Sequence, residues 1–359
     1  MKCLSTKATS IKPSGIRKFF DLASTMEGVI SLGVGEPDFA TPWHICENAI
    51  HYMSTGHTHY TANRGLLELR EDICKFHKEH YNQVYDPENE VIVTIGGSEA
   101  IDLCMRALLN PGDEVIVLDP NYVAYAPSVI LSDGVVVPLK LKEENDFKIL
   151  PEDLKKVITP KTKAMIINYP SNPTGGVMTK EDYAKIIDII KESGIYVISD
   201  EIYAELSFDQ PFASLAQFDE IKSQIIVVNG FSKAYAMTGW RLGYCMANKE
   251  LSSVMNKIHQ YVIMSAPVMS QYAGIEAIKN GYDDVLMMKD DYLKRRNFLV
   301  NRLNRMGLKT NMPHGTFYVF CNIQSTGLDS ETFCERLLQE QKVACVPGNA
   351  FGNSGEGYV

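Results

Sequence analysis

Two side chains in the stretch I-I-V-V-N-G-F-S-K-A-Y-A-M-T-G-W-R-L-G-Y (Ile225–Tyr244) are of types suited to covalent capture and anion binding. Ile225–Val228 is a β-branched apolar run that suits a strand buried on both faces, and Asn229-Gly230 closes it as a turn signal. Lys233 follows at the strand end. Eight residues later Arg241 sits among Trp240, Leu242 and Tyr244, where a half-buried guanidinium requires an anion. A lysine amine captures a carbonyl and an arginine holds a phosphate; pyridoxal 5'-phosphate (PLP) presents both groups. The plainer readings are a solvated loop lysine and an arginine paired with a structural carboxylate.

Other strand ends discriminate between these readings. Glu90–Ile95 reads as a strand stopping at Gly96-Gly97-Ser98-Glu99, and a helix with Ile101, Cys104, Met105 and Leu108 on one face follows at once. With Ser98 as a candidate cap, the Gly97, Ser98 and Glu99 amides make a cup for a phosphate. Glu114–Leu118 leads to Tyr122, Lys163–Ile167 leads to Asn172, and Ile195–Ser199 delivers Asp200 and Tyr203. Asp200 would keep the pyridine nitrogen of PLP protonated, Asn172 and Tyr203 would bond its phenolate oxygen, and Tyr122 would stack on its ring. Taken singly, these are also a salt-bridged aspartate, a turn asparagine, and two core aromatics.

These side chains need elements to carry them. Helices are expected at Trp43–Met53, Gly65–Tyr81 and Thr179–Ser193, the last capped by Thr179 with Asp182 and ended by Gly194; Val135–Leu139 is a further strand. Strands alternating with helices predict an α/β fold with a mostly parallel sheet, whose ligands gather at the strands' carboxyl ends. From about Gln260 the rhythm changes. A long helix Asp284–Met306, with Met288, Tyr292, Leu299, Leu303 and Met306 inward, precedes a strand Thr316–Phe320, a helix Glu331–Gln339 and a strand Val343–Val346. This predicts a large PLP-binding domain over residues 41–280 and a smaller α+β domain from 1–40 and 281–359. The first twenty residues carry a short helical pattern (Ile16, Phe19, Phe20). Val29–Gly35 is strand-like, and Gly33–Asp38 is either a plain linking loop or a turn that admits a ligand to the backbone.

With 359 residues and a formal charge of −9, the chain is long enough for a large core and the wrong sign for a nucleic-acid partner. Its one compact basic run, Lys294-Arg295-Arg296, reads as a solvated helix face. Eight cysteines show no C-x-x-C or metal-type spacing, and Cys104 and Cys321 fall in apolar segments, which points to a reduced, cytoplasmic chain. No apolar run reaches membrane-spanning length, and Met1–Ser10 lacks a signal-peptide centre.

In order along the chain stand G-E-P-D-F (Gly35–Phe39), Y-T-A-N-R-G (Tyr60–Gly65), G-G-S-E-A (Gly96–Ala100), P-S-N-P-T-G (Pro170–Gly175), D-E-I-Y (Asp200–Tyr203) and S-K-A-Y-A-M-T-G-W-R-L-G (Ser232–Gly243). With these motifs the chain resembles, along nearly its whole length, the class I/II aminotransferases of PLP fold type I. The resemblance implies Lys233 as the Schiff-base lysine, Asp200 on the pyridine nitrogen, Asn172 and Tyr203 on the phenolate, Tyr122 on the ring, and Arg241 with Gly97–Glu99 on the phosphate. Lys233, Asp200 and Tyr203 are thereby the expected catalytic residues. It also implies Tyr60 reaching the phosphate of a neighbouring subunit, hence a homodimer with shared sites, and Gly35 and Asn172 against the substrate. The chain looks most like the aspartate, aromatic and N-acetyl-LL-diaminopimelate aminotransferase branch, the last above all. The expected reaction moves an amino group from an L-amino acid to a 2-oxo acid, with glutamate and 2-oxoglutarate as one pair. The alternatives are a PLP-dependent C–S lyase, a sensing module, and a PLP-binding chain that does not turn over. Gly230 stands where many relatives have Ser or Thr. Gly355–Val359 matches the start of a strand whose next residue, in the family, is a carboxylate-clamping arginine, so a truncated chain is expected. No residue is recognised as the reader of the substrate side chain.

Overall fold

In the computed structural model of the chain, residues 2–11 and 26–359 are described, and the helical pattern expected at Ile16, Phe19 and Phe20 lies outside them. Nine strands occur among these residues. The short β1 (Ile30–Ser31) pairs in parallel with β9 (Val343–Ala344), joining segments from opposite ends of the chain. The other seven make one sheet: β2 (Val91–Thr94), β3 (Glu114–Asp119), β4 (Val135–Lys140), β5 (Thr162–Asn168), β6 (Tyr196–Asp200), β7 (Ile225–Gly230) and β8 (Gly243–Met246). Their order is β2-β8-β7-β6-β5-β3-β4, and every pair is parallel except the two made by β8. The architecture is the expected α/β one.

All six residues of β7 are buried, the β-branched run Ile225–Val228 among them. Successive residues serve opposite faces: Ile225 and Val227 pack into one core, Ile226 and Val228 into the other. Each such side chain stabilises the fold by about 1.5–3 kcal/mol on leaving water. Register brings Asn168 opposite Asp200, and Asp200 opposite Val228, so the carboxyl ends of β5 and β6 finish level and β7 runs two residues further, to Gly230.

The structure corrects several expectations. Thr179–Ser193 is not one helix. Thr179 and Asp182 do form the capping box, but the helix Lys180–Ala184 stops and a second, Ile187–Ser193, runs to Gly194 in the left-handed conformation. The long helix Tyr282–Arg305 buries Val285, Met288, Tyr292, Arg296 and Val300, a stripe of roughly i+4 spacing, while Leu299 and Met306 are exposed. Arg296 is therefore no solvated residue: its guanidinium grips Asp209 at 2.6 and 3.0 Å and donates to the Pro313 carbonyl. Thr316–Phe320 forms no strand; Thr316 takes a positive φ of 65° and an isolated bridge joins Gly315 to Ser207. The strand β8 was not expected, its four residues being short and opened by a glycine. The eight cysteines are unpaired, and among the described residues no helix is long and apolar enough to cross a membrane.

Candidate active site

A cavity of about 420 Å³ opens at the carboxyl ends of β5, β6 and β7. Gly35, Gly97, Ser98, Tyr122, Asn172, Asp200, Tyr203, Lys233 and Arg241 all line it. Of the expected site residues, Glu99 and Tyr60 do not.

Lys233 stands three residues past β7, and its Nζ donates to the Gly35 carbonyl at 2.5 Å. The amine also lies 5.7 Å from the Phe317 ring centre and 5.9 Å from that of Tyr203. Burial pulls its pKa down to about 8; Arg241 adds to the drop, while Glu36 and Asp200 oppose it. Asp200 is deeply buried at the end of β6. Tyr125 donates its hydroxyl proton to Oδ2 at 2.6 Å and the Ile202 N–H donates to Oδ1 at 3.2 Å. Burial raises the carboxyl pKa to about 6 in spite of these donors and of Lys233.

Asn172 is held by its own N–H, which donates to the Asn168 side chain at 2.9 Å, while Asn168 donates to the Asp200 carbonyl. The Asn172 amide reaches toward the hydroxyls of Tyr203 and Tyr318 at 3.5 and 3.4 Å, and its Oδ1 is buried without a hydrogen-bond partner. The two hydroxyls lie 2.7 Å apart.

The helix Gly96–Leu108 presents its first turn to the cavity. Ser98 lies within that turn and is not its cap; the cap position is Ile95, whose N–H is taken by the Glu99 carboxylate. The Glu99 side chain is thus turned away from the cavity, with its other oxygen 2.5 Å from Nδ1 of His259, and only its main chain can serve a ligand. First-turn N–H groups have no carbonyl within the helix to bond, so they face the cavity as donors. Arg241 lies across this turn. A Cβ on Gly96 would come within 2.8 Å of the guanidinium, and one on Gly243 within 2.5 Å of the Gly96 carbonyl carbon. Arg241 is exposed, contrary to the half-buried setting expected of it, since its backbone (φ 51°) turns the side chain out over the helix terminus, where it donates to the Thr238 carbonyl at 3.0 Å. At Gly230 a Cβ would stand 2.9 Å from Gly243, so the β7–β8 contact leaves no room for the serine or threonine of many relatives. Tyr60 is 83% exposed, on a loop tied through Asn63 to the Met264 carbonyl.

Tyr125 and Tyr318 are among the cavity residues that the sequence reading did not single out. Tyr125 recurs three residues after Tyr122, a spacing that could have flagged it. Tyr318 gave no such signal, because it was assigned to a strand that does not form.

A family profile described as "Aminotransferase class I and II" matches residues 27–358. The chain belongs to the class I and II aminotransferases. It is 50% identical to the putative aminotransferase YugH of Bacillus subtilis, over 99% of this chain and 92% of that one. It is 43% identical to aromatic-amino-acid aminotransferase 2 of Thermococcus litoralis over the same shares. The solved Thermus thermophilus aspartate aminotransferase with maleate superposes with a TM-score of 0.95 at 37% identity, covering all of this chain and 94% of that one. Further relatives are named aspartate and probable N-acetyl-LL-diaminopimelate aminotransferases. The chain is a PLP-dependent aminotransferase of fold type I, and the cavity suits that cofactor: an amine of lowered pKa, a buried carboxylate, hydroxyl and amide donors, and a helix terminus under an exposed arginine.

Proposed function

We propose that this aminotransferase holds PLP on Lys233 and passes an amino group from an L-amino acid to a 2-oxo acid, with glutamate and 2-oxoglutarate as one pair. The single observation carrying the assignment of residues is the convergence of Lys233, Asp200 and the Arg241–Gly96 cradle on one cavity. Arg241 and the amides of Gly97, Ser98 and Glu99 would hold the phosphate. Asp200 would hold a proton on the pyridine nitrogen, Asn172 and Tyr203 would donate to the ring hydroxyl oxygen, and Tyr122 would cover the ring. Bound PLP supplies an electron sink for the substrate α-carbon. Lys233, once its amine is released, is the base that takes and returns the α-carbon proton, and a pKa of about 8 suits that work near neutral pH. Gly35 and Asn172 would face the substrate. For the donor, aspartate, an aromatic amino acid and N-acetyl-LL-diaminopimelate are the candidates, in keeping with the names of the relatives.

Three further assignments belong to this proposal. The exposed Tyr60, with Tyr261 at 84% and Trp43 at 68% exposure, supports a homodimer in which Tyr60 reaches the partner's phosphate site. The division into 41–280 and 1–40 with 281–359 is supported by the pairing of β1 with β9. The cytoplasm is the proposed location, in keeping with eight unpaired cysteines. Adding glutamate to PLP-loaded protein should abolish the visible band of lysine-bound PLP, and 2-oxoglutarate should restore it. A band that responds to neither overturns the reaction assigned.

A further inference from the structure

Tyr318 belongs to no regular element, yet its position is tightly defined. Thr316, in the left-handed conformation, accepts the Tyr318 N–H on its hydroxyl at 3.2 Å and gives its own N–H to Leu206. The ring packs against Phe317 at 4.8 Å and edge-on to Tyr203 at 5.7 Å. Its hydroxyl then meets three partners: the Tyr203 hydroxyl at 2.7 Å, the Gly35 carbonyl at 3.4 Å, and the Asn172 amide, which donates to it at 3.4 Å. The approach to Gly35 depends on glycine, since a Cβ there would stand 2.5 Å from the Tyr318 oxygen. Gly35 lies just past β1, and Tyr203 just past β6, so one phenol links the segments on both sides of Lys233.

We propose that Tyr318 is a positioning residue of the transamination site, donating its proton to Tyr203 so that Tyr203 can turn its own proton toward the cofactor. This inference rests on the placement of PLP on Lys233. Each phenol has one proton to give. If Tyr203 spends its proton on Tyr318, none is left for the ring hydroxyl oxygen of PLP. If Tyr318 donates instead, the Tyr203 proton is free, and a hydrogen bond received makes a hydroxyl a stronger donor. Gly35 does not compete heavily for the Tyr318 proton, because its carbonyl stands 3.4 Å from the Tyr318 oxygen against 2.7 Å for the Tyr203 hydroxyl. The titratable and charged groups facing the pair are Lys233, Asp200, Tyr122, Tyr125 and Tyr292, with Glu36 and Arg241 beyond Lys233.

A proton given to the ring oxygen competes with the proton that this oxygen shares with the lysine-bound nitrogen. Losing the donor therefore raises the pH at which the visible chromophore titrates. The test is an absorbance titration of PLP-loaded wild type, Tyr318→Phe, Tyr203→Phe and the double variant. Tyr318→Phe should titrate about 0.2–0.5 pH unit above wild type, as expected for weakening one hydrogen bond. Tyr203→Phe should move further in the same direction, and the double variant should match Tyr203→Phe alone. An unchanged value for Tyr318→Phe assigns it a packing role, a fall makes it a competitor for the Tyr203 proton, and additive shifts separate it from Tyr203. Each of these outcomes overturns the proposal. A wild-type protein with no visible band would instead overturn the placement of PLP on Lys233.

Discussion

Two clusters of buried polar groups flank the end of β6, and they differ in one respect. Behind the strand, Glu201 accepts from Ser199 at 2.8 Å, from Ser214, and from Gln83 at 3.3 Å. Gln83 in turn meets His77 at 2.6 Å, and His77 meets Tyr244 at 2.8 Å. This cluster is closed. In front, Asp200 has Tyr125 and Ile202, but the Asn172 oxygen has no partner, two phenols share one short contact, and the Lys233 amine hangs on a single carbonyl. Burial raises both carboxyls, Asp200 to about 6 and Glu201 to about 7. Perturbed pKa values alone therefore do not separate structure from chemistry; incomplete partnering beside a cavity does.

The largest effect should come from the closed cluster. Glu201→Ala removes the acceptor shared by Ser199, Ser214 and Gln83 and should cost about 3–5 kcal/mol of stability, read by denaturant unfolding. The protein that remains folded should still develop the visible PLP band. A lost band at unchanged stability would erase the distinction between the clusters.

Next is Asp200→Asn. The folded pKa of about 6 exceeds the ordinary aspartate value of 3.8, so the neutral form is favoured in the folded state. Stability is highest below the unfolded pKa and falls as pH rises through the folded one. Cofactor-free Asp200→Asn should therefore gain about 1–3 kcal/mol over wild type at pH 8, with the gain vanishing below pH 4. Loading PLP should cancel the gain, since the wild-type carboxylate then has its partner. Equal gains with and without PLP would count Asp200 among the structural residues.

A smaller effect is kinetic. A neutral amine is the nucleophile, and with the Lys233 pKa near 8 its neutral fraction rises about tenfold per unit at lower pH. The rate at which cofactor-free protein captures PLP should climb from pH 6 to 7 and level off above pH 8. A rise continuing unchanged to pH 10 would mean an unperturbed lysine.

The contrast also explains what was legible in the sequence. Lys233, Asp200, Tyr203 and Asn172 follow β-branched runs whose period and turn signals are local, so strand-end logic brings them to one rim. The parallel sheet was legible for the same reason. Tyr318 was not, because its place depends on a left-handed Thr316 and a missing Cβ at Gly35, residues far apart in sequence. Arg296 looked like part of a solvated run because its partner, Asp209, lies 87 residues away. Glu99 stands beside the phosphate cup in sequence, yet the helix start turns its carboxylate back to Ile95. Long-range pairing and helix phase, not composition, decided these three.

The central claim is that the open cluster takes PLP through Lys233. Borohydride reduction of the PLP-loaded protein, followed by mass mapping of its peptides, tests this directly. The phosphopyridoxyl mass should appear on the peptide containing Lys233 and be absent from the Lys233→Ala protein. Labelling of another lysine at full occupancy, or none at all, would contradict the account.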